Sequence, residues 1–344
     1  MKSATLALWQ KRLFGDLPTA IVSILLAILM VSALVPILRW GLINATWSGT
    51  TRADCVAGGA CWVFIKARFG QFMYGLYPAA ERWRADLFLG LIGLTIAAIA
   101  FLRGRTRAIT LAAITLIFPV AGIWLLAGGY GLTPVETRNW GGLMLTLFMS
   151  IYAALIAVPL GILLALGRQS ELPIIRVISV IFIEFWRGVP IIAVIFLASL
   201  LLPLIMPSGI GVDRLARAVI GLGLVIAAYI AEAVRGGLQA LPKGQAEAAA
   251  ALGLGYWQTT CLITLPQALR ISLPAMTNEF IALVKNTTLV LVVSILDLLG
   301  IAQTSLADPN WVGMNMEAYL FAGAIYWLIC FGLSRWSRTL ERAT

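Results

Sequence analysis

The sequence predicts an all-α polytopic membrane protein of about eight transmembrane helices, and three observations predict it. Of 344 residues, 61% are apolar or aromatic and only 12% are charged, against roughly half and about a quarter in soluble domains. The mean hydropathy of +0.95 calls for a solvent that is itself apolar. Charge-poor runs of bilayer length recur along the chain and are continuous, without the alternating segments of about ten residues that mark membrane β-barrels. A soluble enzyme is excluded, and helices satisfy their own backbone in lipid.

The first span is expected at 17–38. Val31-Ser32-Ala33 imitates a small-residue cleavage site, but the apolar run outlasts a signal core, so no secretory signal peptide is expected. Further spans follow at 87–102, 108–135, 139–167, 188–212, 218–231, 274–299 and 318–334. Placing both termini in the cytoplasm gathers Lys2, Lys11, Arg12, Arg103, Arg105, Arg107, Arg168, Arg176, Arg235, Lys243, Arg270, Arg335, Arg338 and Arg342 on the inner side, as the positive-inside rule requires. That rule, with the attraction of anionic headgroups, accounts for the net charge of +10. Membrane lipids are therefore the expected partners, and nucleic acid is not.

The long outer loop, 41–85, carries a helical pattern in which Trp62, Ile65, Phe69, Phe72 and Leu76 share a face, with Lys66, Arg68 and Gln71 away from it. Two placements fit: on the outer membrane surface, or packed on the protein's own spans. Cys55 and Cys61 fall in this oxidising compartment, where a local disulfide and two free thiols are the alternatives. The cysteines show no metal spacing, and the absence of histidine removes the commonest metal ligand and general base.

The chain has no GxxxxGK[ST], so ATP cannot be held by a P-loop here and any ATP use belongs to a partner. The inner loop 242–266, PKGQAEAAAALGLGYWQTTCLITLP, reads as a short Ala-rich helix that Gly253 ends in a left-handed turn, with Pro266 separating this knob from the next span. An ordinary connecting helix is the plain alternative. Within the spans, Glu184 and Arg187 stand three apart, as an internal ion pair or with Arg187 meeting a substrate carboxylate. Gly188 and Pro190 follow and predict a kink. The seventh span holds Asn278, Glu279, Lys285, Asn286, Thr287 and Thr288 before an apolar run at 289–296, a pattern for a water-filled cavity or for polar glue between helices. From these residues alone, an ion-driven carrier using Glu184, Glu232 and Glu279, or a membrane anchor for an ATPase, also stays open.

Glu247-Ala248-Ala249, Gly253 and Ile263-Thr264-Leu265-Pro266 resemble, in spacing, the EAA loop of permease subunits of ATP-binding-cassette (ABC) importers. Four further stretches narrow this: NWGGLMLTL from Asn139, EFWRGVPI from Glu184, YIAEAVRGGLQALPKG from Tyr229 and TNEFIALVKNTTL from Thr277 resemble, in order, the core of polar amino-acid permeases. Val189 departs from the family's usual polar residue. The extra amino-terminal spans and CWVFIKARFGQFMYGLYP are similar to the M-type subunits of general L-amino-acid importers. The resemblance implies a type I importer permease core of five helices at 139–344 and an extension of three helices at 1–138. It implies a transport subunit rather than an enzyme, in the bacterial inner membrane, coupled to two ATPase subunits through Glu247, Ala248, Ala249, Gly253, Ile263, Leu265 and Pro266. No cofactor is expected in this chain, with ATP and Mg on the ATPases. A second, similar permease subunit in a heterodimer and a periplasmic amino-acid-binding protein complete the expected assembly.

Overall fold

The structure, a computed structural model, describes residues 13–102, 104–205 and 211–341. Lys2, Lys11, Arg12, Arg103 and Arg342, used above to orient the chain, lie outside the described residues, as do 206–210 of the expected fifth span. Among the described residues the fold is helical, with only isolated bridges outside helices. The helices are α1 (Leu17–Leu38), α2 (Trp62–Tyr74), α3 (Arg82–Phe101), α4 (Gly104–Ala127), α5 (Gly142–Arg168), α6 (Pro173–Gly188) and α7 (Ile191–Ile205). They continue with α8 (Arg214–Gln239), α9 (Gly244–Ala251), α10 (Leu265–Asn286), α11 (Leu298–Ser305) and α12 (Asn315–Glu341). Among the described residues five helical runs are long and apolar enough to cross a bilayer, or six if the bent pair α6 and α7 makes one crossing. Helices α3 and α4 overlap the expected second and third spans, α4 ending at Ala127 short of the expected 135, and neither is among those five runs.

Two compact units divide the chain: residues 1–68 with 306–318, and 69–305 with 319–344. In the smaller unit, Asp16 caps α1 through the Thr19 amide at 2.9 Å, and none of α1's own residues is buried, as suits a helix apolar on every face. After it, Thr46 pairs with Ala60 and Trp62 by backbone bonds of 2.7 and 3.0 Å. Cys55 and Cys61 are disulfide-bonded with Cα atoms 5.5 Å apart. Amides of Thr50 and Thr51 donate to Asp54, holding its carboxyl below the usual carboxylate range. Glu317 accepts the Cys61 amide at 2.9 Å, Phe64 packs on Trp311 and Arg68 pairs with Asp308.

The face expected for α2 is corrected. Val63, Phe64, Ile65 and Phe72 are buried while Phe69 and Leu76 are exposed. Burial here follows protein neighbours, Trp311 for Phe64 and Phe321 for Phe72, and not a flat lipid surface.

In the larger unit the core lies between α5 and α8. Asp213 caps α8 by accepting amides of Leu215 and Ala216 at 2.9 and 3.1 Å. The two helices approach through small residues: a Cβ on Gly161 would lie 2.7 Å from the Ile230 side chain and 2.9 Å from the Ala227 carbonyl. One on Gly223 would meet Ile156 at 3.0 Å. Lipid gives helices little hydrophobic reason to associate, so such close backbone contact carries the packing.

Two expected spans differ from the observed ones. The fifth is not a straight helix from 188: α6 begins at Pro173, and α6 and α7 meet at 100°. Pro190 lacks an amide hydrogen and drives Val189 into an extended conformation, which stops α6 at Gly188. The seventh is longer than expected and continuous from Tyr256 to Val293. Pro266 therefore does not separate the knob from the span. A π-helical turn at Thr260–Thr264 widens the backbone just before the proline, and the break falls earlier, at 252–255.

Gly161→Ala should lower the thermal midpoint of the purified protein, since overpacking costs about 1–3 kcal/mol. Gly90→Ala, where an added carbon meets nothing within 4 Å, should leave that midpoint unchanged or raise it.

Candidate functional site

Helix α9 is the Ala-rich knob. Glu247 and Ala248 are exposed, and only Ala249 is buried against the bundle. Gly253 takes φ +76°, its amide bonds Ala250 at 2.9 Å and the Leu254 amide bonds Ala249 at 3.1 Å, the double closure of a left-handed helix end. Beyond it Leu252, Tyr256 and Trp257 are 81, 58 and 64% exposed, an apolar patch at the tip of the knob. Gln267 ties the knob to the long span by donating to Gln245 at 2.9 Å. Ile263 and Leu265 are half-buried and Pro266 is exposed. Behind α9 lies a cavity of about 440 Å³ lined by Leu166, Lys243, Ala246, Ala250, Leu254 and Tyr256 among others.

A charged cluster joins the ends of α5, α6 and α8. Arg168, the last residue of α5, pairs with Glu184 at 3.1 Å and also with Glu232. Arg235 bonds the other oxygen of Glu232 at 2.7 and 3.0 Å and Gln239 at 2.8 Å. Arg187 reaches Glu232 at 3.9 Å and Glu184 at 4.0 Å, and lies over the Tyr229 ring at 5.7 Å. The pairing expected within α6 is thus its loosest contact. Sequence reading treated Arg168 only as an orienting charge and missed its bridging role and that of Arg235. A lone cation closing an apolar run, opposite the glutamate of YIAEAVRGG, is the signal that pointed to it.

The polar residues of the seventh span do not act as one wall. Asn278 and Lys285 are exposed, and Glu279, Asn286 and Thr288 are half-buried, with the Thr288 hydroxyl bonded to the Lys285 carbonyl at 2.8 Å. Thr287 is fully buried and departs from the expected cavity: its hydroxyl donates to the Val284 carbonyl at 2.9 Å. It belongs to a second centre around Asp297, which sequence reading passed over as one acid in an apolar run. Asp297 is fully buried and accepts from Tyr326 at 2.6 Å and the Gly300 amide at 2.8 Å, with the Thr287 hydroxyl 3.4 Å away. Thr146 of α5 accepts the neighbouring Leu298 amide at 3.0 Å. The carboxylate thereby joins α11, α12 and the end of the seventh span, and the amide next to it reaches α5. Between α6 and α7, Val189 lines a separate cavity of about 520 Å³ with Phe185, Trp186 and Leu197.

A bundle of membrane-length helices with a broken span, a charged cluster and a projecting knob is the build of a transport subunit. The chain belongs to the family of binding-protein-dependent transport system inner membrane components, whose model matches residues 157–344. It is 51% identical over 337 residues to the inner membrane amino-acid ABC transporter permease protein YhdY of Escherichia coli K12, covering 97% of this chain and 91% of that protein. Identity is 37% over 401 residues to the glutamate/glutamine/aspartate/asparagine transport system permease protein BztC of Rhodobacter capsulatus, covering 95 and 91%. Among solved structures, an amino acid ABC transporter crystallised with histidines aligns with a TM-score of 0.52 at 30% identity, over 59% of this chain and 92% of that one. The chain is therefore an amino-acid ABC importer permease subunit in the inner membrane, and ATP hydrolysis is carried by separate ATPase partners. The ion-driven carrier and the passive anchor left open by the residues alone are set aside.

Asp297→Ala should leave the Tyr326 hydroxyl and the Gly300 amide buried without their acceptor, at about 1–3 kcal/mol. The expected outcome is a lower thermal midpoint of the purified subunit, with Asp297→Asn, which keeps an acceptor oxygen, losing less.

Proposed function

We propose that this subunit moves polar and general L-amino acids across a bacterial inner membrane by alternating access, as one permease of a heterodimer seated on two ATPase subunits. A periplasmic amino-acid-binding protein delivers the substrate, and ATP with Mg is held by the ATPases. The observation that carries the reading is the knob: α9 projects Glu247, Ala248 and the exposed Leu252, Tyr256 and Trp257 from a helix end that only a left-handed Gly253 closes. Such a compact element suits a groove on a partner. Ile263, Leu265 and Pro266 belong to the same coupling segment and carry its displacement into the seventh span.

The proposed pathway follows Glu184, Arg187, Asn278, Glu279, Lys285, Asn286 and Thr288, with Thr287 supporting it from behind. The chain has eight spans with both termini in the cytoplasm, which puts the disulfide-bonded loop outside and the knob inside.

Two measurements test this. An impermeant maleimide applied to intact cells after mild reduction should label Cys55 or Cys61, while Cys261, exposed beside the knob, should react only after permeabilisation; the reverse pattern overturns the orientation. Gly253→Val should lose most substrate-stimulated ATP hydrolysis by the reconstituted complex, because a β-branched residue resists φ +76° by roughly 1–2 kcal/mol. Nothing lies within 4 Å of a Cβ there, so membrane insertion should be intact. Wild-type stimulation in this variant would remove the knob from the coupling path.

A further inference from the structure

Within the charged cluster the three guanidiniums are not equivalent. Arg168 holds Glu184 at 3.1 Å and takes one oxygen of Glu232, while Arg235 takes the other oxygen by two bonds. Both carboxylates are thereby claimed. Arg187 is left at 3.9 and 4.0 Å from them, at the outer limit of an ion pair, with one face over Tyr229. Its side chain is 36% exposed, more than those of Arg168 at 24% or Arg235 at 29%. A guanidinium presents a planar fork that matches a carboxylate by two parallel hydrogen bonds, and this fork has no carboxylate in that geometry. The groups facing it are Glu184 on its own helix, Glu232 on α8 and, through its field, Glu279 on α10.

We propose that Arg168 is a positioning residue: by holding Glu184 and Glu232 it keeps Arg187 receptive to the α-carboxylate of the transported amino acid. This deepens the pathway reading above and rests on it. Arg168 touches no substrate in this scheme. It competes for the carboxylates that would otherwise close on Arg187, since Glu184 stands three residues before Arg187 on α6, a spacing at which the two side chains meet on their own. Recognition through the α-carboxylate, common to every amino acid, suits a pathway of broad side-chain tolerance.

The test is uptake of L-glutamine and L-aspartate by proteoliposomes holding the purified complex and its binding protein, with basal ATP hydrolysis measured alongside. Arg168→Gln should raise the apparent KM of both substrates about tenfold, the scale of one lost charge-assisted bond, at unchanged basal hydrolysis. The double variant Arg168→Gln with Glu184→Gln removes the carboxylate that only Arg168 holds closely, while Glu232 keeps Arg235 on its other oxygen, and its KM should return to within about threefold of wild type, a recovery that a merely structural arginine would not show. Arg168→Lys, a point charge without the planar fork, should fall between the two and serves if Arg168→Gln does not assemble. A wild-type KM in Arg168→Gln, or in Arg168→Lys where only that variant assembles, overturns the proposal, as does a double variant that stays as impaired as the single. Absence of ATP-dependent uptake by the wild-type complex would instead overturn the pathway reading, so the two failures are distinguishable.

Discussion

Helices α5 and α8 approach until a methyl group on Gly161 would strike the Ala227 carbonyl, and much else in the larger unit follows from that closeness. In a solvent as apolar as the side chains themselves, burial of leucine against leucine gains little, so the bundle depends on surfaces small enough for backbones to meet. Ala153, Ala157 and Gly161 on α5 face Gly223, Ala227 and Ala231 on α8 as such a surface. Once these are locked in register, the next charged residue on each helix has its position set. Arg168 lies two turns beyond Gly161 and Glu232 lies beside Ala231, so the same packing that joins the helices brings their charges together.

The polar groups show the same constraint in another form. Arg84 is fully buried, yet it holds Glu81 at 2.6 Å and the Thr133 carbonyl at 2.9 Å. Asp297 is equally buried and meets its needs at the start of α11, where free amides and the helix dipole favour a negative charge. Neither group is exposed enough to meet a substrate. The pathway candidates divide along this line, because Thr287 has spent its hydroxyl within the fold while Asn278, Lys285 and Arg187 keep exposed surface.

Legibility in the sequence followed the physics of each feature. Helices were readable because bilayer length is written into charge-poor runs, and the knob because alanine propensity and a left-handed glycine act locally. The disulfide could only be offered as one of two outcomes, since its closure depends on Thr46, Ala60 and Trp62 meeting across a turn. Pro266 misled because a proline stops a helix only where no widened turn precedes it, and the π turn at Thr260–Thr264 is set by tertiary packing. The span at 188–212 was displaced for the converse reason: a proline that does break its helix was read as a mild kink. Arg168 and Asp297 were passed over because their partners lie on other helices: a lone charge at the end of an apolar run marks a position but not the helix it will meet. Resemblance reached the family, whereas the exchange among the three arginines needed coordinates.

One stripe of α8 carries Tyr229, Glu232, Arg235 and Gln239, and the turn after Gln239 leads directly into α9. On the proposed reading, an ATPase that displaces the knob pulls on Gln239 and so on Arg235, which holds Glu232 by two bonds. A substrate carboxylate taken by Arg187 acts on the same glutamate from the opposite side, since Arg187 lies 3.9 Å from it. Both ligands then bias one bistable set of ion pairs, and linkage requires that the influence run equally in each direction. A rigid α5–α8 pair is what makes this workable: were the two helices free to slide, Arg168 could follow Glu232 and the displacement would be absorbed before it reached α6. On that reading, the glycine that brings the helices together and the arginine that closes α5 serve one end, packing that keeps the ion pairs in register while the charges answer the two ligands.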